Sequence, residues 1–148
     1  MSIITNWKLL EVLKDVEIVA DDVPRYRDQV LEKLNIPTPD TINVLDRSAT
    51  IIDWTKMPEH WKFSIDNRSL DHKFHKILKR SAIGQTSRVI IEYGVDEPAV
   101  SVPTKLFIKD WEDFFASTKW ETVIFSEDYK LIIEVTRDFM IHSNFKIL

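Results

Sequence analysis

The chain has 148 residues, 44% of them hydrophobic and 30% charged, with a formal net charge of −4. That profile is one of a globular chain large enough to bury a core without staples, and a single α+β domain over residues 1–148 is expected. The absence of cysteine excludes disulfides and thiolate chemistry and leans toward a cytoplasmic setting, while two glycines, Gly84 and Gly94, are too few for a glycine-rich phosphate loop.

Charge is unevenly placed. Residues 1–40 carry 5 basic and 8 acidic side chains, residues 41–90 carry 9 and 5, and residues 91–148 carry 6 and 11. A modestly basic middle therefore lies between acidic ends, and ordinary solvated surface charge accounts for most of it. Charges interrupt the first 22 residues every few positions, and apolar runs elsewhere are three or four residues long. Neither a signal peptide nor a membrane span is expected.

In chain order, Asn6 stands as an N-cap before a short helix over 6–15, with Trp7, Leu10 and Lys14 on one side and Leu9 and Leu13 beside them. Asp21-Asp22-Val23-Pro24 opens a second helix over 23–34, since acidic residues and a first-turn proline suit the positive end of the helix dipole. Val23, Tyr26, Val30, Leu31 and Leu34 recur at helical spacing, and Asn35-Ile36-Pro37 ends the run. After a turn at 37–40, the apolar residues Ile42, Val44, Ala49, Ile51, Ile52 and Trp54 suggest two strands around 46–48. Trp61, Phe63 and Ile65 alternate as a further strand, and Ser69 caps a helix over 70–81 whose apolar stripe is Leu70, Phe74, Ile77 and Leu78.

Residues 87–93, rich in β-branched side chains, read as a strand whose hairpin partner is 99–102 across the loop 94–98. Residues 104–108 suit a strand or a helix. Asp110 then caps a short helix with Trp111, Phe114 and Phe115 inward. From Trp120 onward, apolar residues fall at every second position in three runs, which predicts an antiparallel meander. Parity pairs Phe125 with Tyr129 around 126–128, and Val135 with Phe139 around 136–138. Lys130, Ile132, Glu134, Met140, His142, Asn144 and Lys146 are then left on a solvated outer face, with Glu134 diagonal to His142. About four helices on a mostly antiparallel sheet that ends in a three-stranded meander is the expected architecture.

Four candidate sites follow. Glu134 and His142 form an acid–base pair on the outer face, with Lys130 and Lys146 placed to hold an anion, as a small hydrolase or nuclease would need. A solvated sheet face is the commoner origin of such residues. Asp110, Trp111, Glu112 and Asp113, with Glu127 and Asp128 in the first meander turn, combine acid with an aromatic anchor, as a binder of a basic protein would. Helix capping and turn polarity explain the same residues more simply. His72 and His75 share a helix face, but Lys73, Lys76, Lys79 and Arg80 oppose a cation there, so no metal or other cofactor is expected. The stripe Lys73, Lys76 and Arg80, with Lys79 and Arg68 nearby, is too small to specify nucleic acid.

Motifs for a serine nucleophile elbow, a zinc protease helix, a P-loop, a dinucleotide fold and an EF-hand are all missing. By elimination the expectation is a small cytoplasmic module that binds a protein partner, in its most concrete form an immunity-type inhibitor that covers a basic toxin domain. An enzyme built on Glu134 and His142 is the alternative, and RNA binding through the basic helix is the third reading.

Overall fold

The computed structural model describes residues 4–21, 23–43, 45–65, 73–94, 97–117 and 121–148. Five α-helices occur among them: α1 (Trp7–Glu11), α2 (Val23–Lys33), α3 (Phe74–Arg80), α4 (Thr104–Lys109) and α5 (Trp111–Ala116). Seven strands occur: β1 (Glu17–Ala20), β2 (Trp61–Ser64), β3 (Arg88–Glu92), β4 (Ala99–Pro103), β5 (Thr122–Ser126), β6 (Ile132–Val135) and β7 (Met140–Ser143). They form one sheet in the order β1-β4-β3-β5-β6-β7-β2, antiparallel at every junction. This is the expected α+β architecture, with the meander as its C-terminal part.

The sheet is covered on both faces. On the first, Val89, Ile91, Ile124, Ile133, Val135 and Ile141 pack against Leu9 of α1, Phe74 and Leu78 of α3, Phe107 of α4 and Phe114 of α5. On the second, Ile90, Val123, Phe125 and Ile132 pack against Leu31 of α2 and against Ile52 and Trp54 of the long connection before β2. Central strands with apolar side chains at consecutive positions, such as Val89-Ile90-Ile91, are what double-sided burial requires.

Double burial overturns the solvated outer face. Ile132, Glu134 and His142 are all buried, and only Lys130 and Lys146 of that set are exposed, both beyond the strand ends. The registers move as well. Phe125 pairs with Ile132, not Tyr129, because the turn runs from Ser126 to Leu131 and places Tyr129 at φ 61°. That change of parity sends Val123 and Phe125 to the second face. Val135 pairs with Ile141, not Phe139, because the three-residue turn begins one residue later and holds Phe139 at φ 62°. Glu134 is thereby set directly opposite His142.

Two further expectations change. Among the described residues, Ile42, Ala49, Ile51, Ile52 and Trp54 lie in no strand; residues 45–53 run as turns into a 3-10 turn at Trp54–Lys56. Val44, Arg68, Ser69, Leu70 and His72 lie outside the described residues. The short edge strand β1, which pairs only with β4, was not expected at all. Asn6 does cap α1, its Oδ1 accepting from the backbone N–H of Lys8 and Leu9, and Arg88 to Pro103 form the expected hairpin.

Candidate functional site

The pairing scheme sets one row of side chains across the second face: Glu92, Val123, Glu134, His142 and Lys62, on β3, β5, β6, β7 and β2. Four of the five are ionisable, and three of these, Glu92, Glu134 and His142, are buried while Lys62 is exposed; buried ionisable groups in one row make it the place to look for chemistry.

Glu134 is 0% exposed. Its Oε2 accepts the Ile51 N–H at 2.7 Å, and its Oε1 accepts the Ile52 N–H at 3.1 Å and the Trp54 indole N–H at 3.0 Å. Burial pushes its carboxyl up to about 7 against the pull of those three donors. A general base must reach a substrate proton. Both oxygens of Glu134 instead point into the connection, where they satisfy two backbone amides that no strand partner serves. Its visible work is that of a clamp.

The indole it holds lies over two imidazoles. Trp54 stacks on His60 at 5.3 Å and on His142 at 5.7 Å between ring centroids, with planes 25° and 18° apart. His60 Nε2 lies 2.9 Å from His142 Nδ1, and the two rings are within 15° of parallel, so one N–H points along the other ring's lone pair. Burial, then the neighbouring His60 and Lys62, push His142 down to about 4, while Asp138 opposes them. His60 is lowered by burial and by Lys62. Lys130 and Lys146 send no side-chain bond or ion pair to this group among the described residues.

Glu92 escaped the sequence reading. It is 0% exposed, and among the described residues neither of its oxygens has a hydrogen-bond partner, nor does the buried Nε of Arg27 on α2. Burial raises the Glu92 carboxyl to about 8, with Arg27 opposing and Asp28 adding to the shift. An acid ending the run Val89-Ile90-Ile91 was the available signal. Nearby, the hydroxyls of Tyr26 and Tyr129 bond to each other between α2 and the first meander turn.

The proposed partner surface divides. Trp111 is buried among Phe74 and Phe115 and is no surface anchor. Glu127 accepts from Ser87 Oγ, and Asp128 accepts from Ser126 Oγ and the Lys130 N–H, which are turn-fixing roles. Asp110 and Asp113 are instead organised by Lys8, a lysine at 1% exposure whose Nζ lies 2.8 Å from Asp110, 2.8 Å from Glu11 and 3.5 Å from Asp113. Burial alone would lower the Lys8 ammonium; the bonds to Asp110 and Glu11 outweigh it and raise it. In the same helix Leu9 is fully buried, but Trp7 is 49% exposed and Leu10 50% exposed, and Leu13 in the 3-10 turn that follows is 50% exposed. Glu112, next to Asp113 in the sequence, is exposed. The exposed aromatic residue of this region is Trp7, the sequence neighbour of Lys8.

On α3, Lys73, Lys76, Lys79 and Arg80 are exposed and make no ion pair among the described residues. His75 is exposed, and no group of three or more His, Asp or Glu among the described residues is arranged to hold a metal. No helix among them is long and apolar enough to cross a membrane. The sequence matches no protein-family model, and comparison with curated proteins returns no match.

Proposed function

We propose that this chain is a protein-binding module that takes a basic protein partner on the face built from α1 and the start of α5, in the manner of an immunity-type inhibitor covering a basic toxin domain. One observation carries the reading: α1 buries Lys8 beside Leu9 and leaves Trp7 and Leu10 half exposed, with Leu13, just past its end, half exposed as well. Folding alone favours the reverse, because an apolar side chain left half in water forgoes roughly 1 kcal/mol of transfer free energy. Scattered exposed leucines are ordinary, but three large apolar residues at helical spacing beside Glu11, Asp110, Glu112 and Asp113 form an apolar centre with an acidic rim. Such a rim steers a basic surface and weakens with salt.

The acid–base alternative is less well supported, since Glu134 is sealed and fully engaged by its three N–H donors. Retention from an extract of the native cells tests the reading, with each retained protein identified, purified and titrated calorimetrically. A basic partner is expected, binding more weakly at 0.5 M than at 0.05 M salt and at least tenfold more weakly to a Trp7→Ala/Leu10→Ala variant, the two changes each removing on the order of 1 kcal/mol or more. A partner that binds this variant as tightly as the parent chain, or no retained protein at low salt, defeats it.

A further inference from the structure

The connection before β2 is attached to the second face by hydrogen bonds at two points of different chemistry and by the half-buried Met57, which packs against the second core. Its first part, 51–54, is held by the Glu134 clamp. Residues 55–60 are another matter. Thr55, Lys56, Pro58, Glu59 and His60 are exposed, and their bonds are local: Lys56 N–H to Asp53 O, Met57 N–H to Trp54 O, and the side chains of Thr55 and Lys56 to Asp53. Among the described residues, the sole hydrogen bond from this segment to the sheet is the one between His60 and His142.

We propose that the coplanar His60–His142 pair is a proton-operated latch, closing residues 55–60 over the face of Trp54 and releasing them when both rings carry a proton. An N–H···N bond needs one lone pair. The neutral pair has it, and so does the pair with one added proton, which the exposed His60 takes more readily. A second proton, on His142, removes the acceptor and sets two cations against each other. Every charged group facing the pair bears on where this happens. Lys62 on β2, directly opposite His142, resists the second proton; Asp138 in the β6–β7 turn favours it. Glu134 on β6, the other cross-strand neighbour, spends its oxygens on the segment before Trp54 and makes no bond to either ring. The second proton therefore binds near pH 4. Opening uncovers the ring of Trp54, now nearly fully buried, while the indole N–H stays on Glu134. The expected product is an acid-exposed aromatic surface beside the edge strand β2, with the rest of the sheet undisturbed.

Nuclear magnetic resonance on the whole chain tests this directly. Between pH 6 and pH 3.5, backbone order parameters of residues 55–60 are expected to fall from about 0.85 toward 0.6 or below, while Ile51 and Ile52 stay near 0.85. His60→Phe keeps a ring against Trp54 but cannot be protonated, so its segment is expected to show no acid transition. His60→Ala should leave the segment loose at both pH values. The proposal is overturned if the parent segment stays ordered at pH 3.5, if His60→Phe loosens with acid as the parent does, or if His60→Ala is as ordered as the parent at pH 6.

Discussion

The backbone N–H of Ile51 lies 2.7 Å from Oε2 of Glu134, a bond that joins a loop to the middle of a strand 83 positions away. With Ile52 and Trp54 on Oε1, one side chain supplies what a neighbouring strand would otherwise supply to this segment. Glu134→Gln cannot replace it. A glutamine has one carbonyl oxygen, so its best orientation keeps the two Oε1 bonds and turns an NH₂ against the Ile51 N–H. The expected loss is about 1–3 kcal/mol, with faster amide exchange at Ile51 than at Ile52. Urea unfolding and exchange by nuclear magnetic resonance measure both, and an undiminished stability would show that the clamp contributes nothing.

Glu92 gives a pH dependence of known sign. Its carboxyl is raised from the ordinary carboxylate range to about 8 in the fold. Between about 4.5 and 8 the folded chain therefore holds a proton that the unfolded chain has released. Stability falls as pH rises through that window, and the loss is complete above it. Glu134 contributes a slope of the same sign up to about 7, and His142 one of opposite sign between about 4 and 6.5, so the parent chain alone does not isolate Glu92. The difference between parent and Glu92→Gln does. That variant should gain on the parent by up to about 1.4 kcal/mol per pH unit across the window, for a few kcal/mol in all, because it never has a charge to bury. Urea unfolding of both chains at pH 5, 7 and 9 decides the matter; a constant difference would place Glu92 in contact with water.

How much of this was legible depended on what each signal measured. The Asn6 cap, the 87–103 hairpin and the alternation at Trp61 to Ile65 report local chemistry, and the structure follows them. Alternation in β5 and β6 was weaker than it looked. Where both faces are buried, either parity puts apolar residues inside, so it cannot choose between pairing Phe125 with Tyr129 and with Ile132. The run from Ile51 to Trp54 read as a strand because it is as apolar as one; its partner turned out to be a carboxylate, which no periodicity reveals. The site was half visible. Glu134 and His142 were paired from spacing, but His60 and Trp54 reach them through a loop whose path the sequence leaves open.

The sequence groups Trp7, Leu10 and Lys14 on one side of α1 with Leu9 beside them, and the structure makes those positions unequal in a testable way. Leu9 is fully buried in the main core, whereas Trp7 and Leu10 are half in water. Leu9→Ala should cost about 2–5 kcal/mol, the range for a leucine removed from a packed interior. Trp7→Ala and Leu10→Ala should each cost no more than about 1 kcal/mol, despite removing as much or more carbon. Should Trp7→Ala match Leu9→Ala in thermal unfolding, Trp7 belongs to the fold and the partner surface loses its anchor.

Tyr129 and Phe139 share a left-handed backbone, at φ 61° and 62°, yet replacing them by glycine should act unequally. That conformation costs a side-chain-bearing residue roughly 1–2 kcal/mol relative to glycine. Phe139, closing the three-residue β6–β7 turn, is 38% exposed. Its ring is partly buried, so strain relief, lost burial and the entropy of the more flexible unfolded chain nearly offset one another, and Phe139→Gly should change stability by less than about 1 kcal/mol. Phe139→Val should destabilise, because a β-branched side chain is least tolerated there. Tyr129 is different, since its ring packs on Phe125 at 5.4 Å and its hydroxyl bonds to Tyr26 of α2. Tyr129→Gly relieves the same strain but strips that contact from the second face, and a net loss of about 1–3 kcal/mol is expected. Thermal unfolding of the three variants beside the parent chain reads the signs. If Phe139→Gly falls below Phe139→Val, the left-handed residue is elsewhere, and with it the register that sets Glu134 opposite His142.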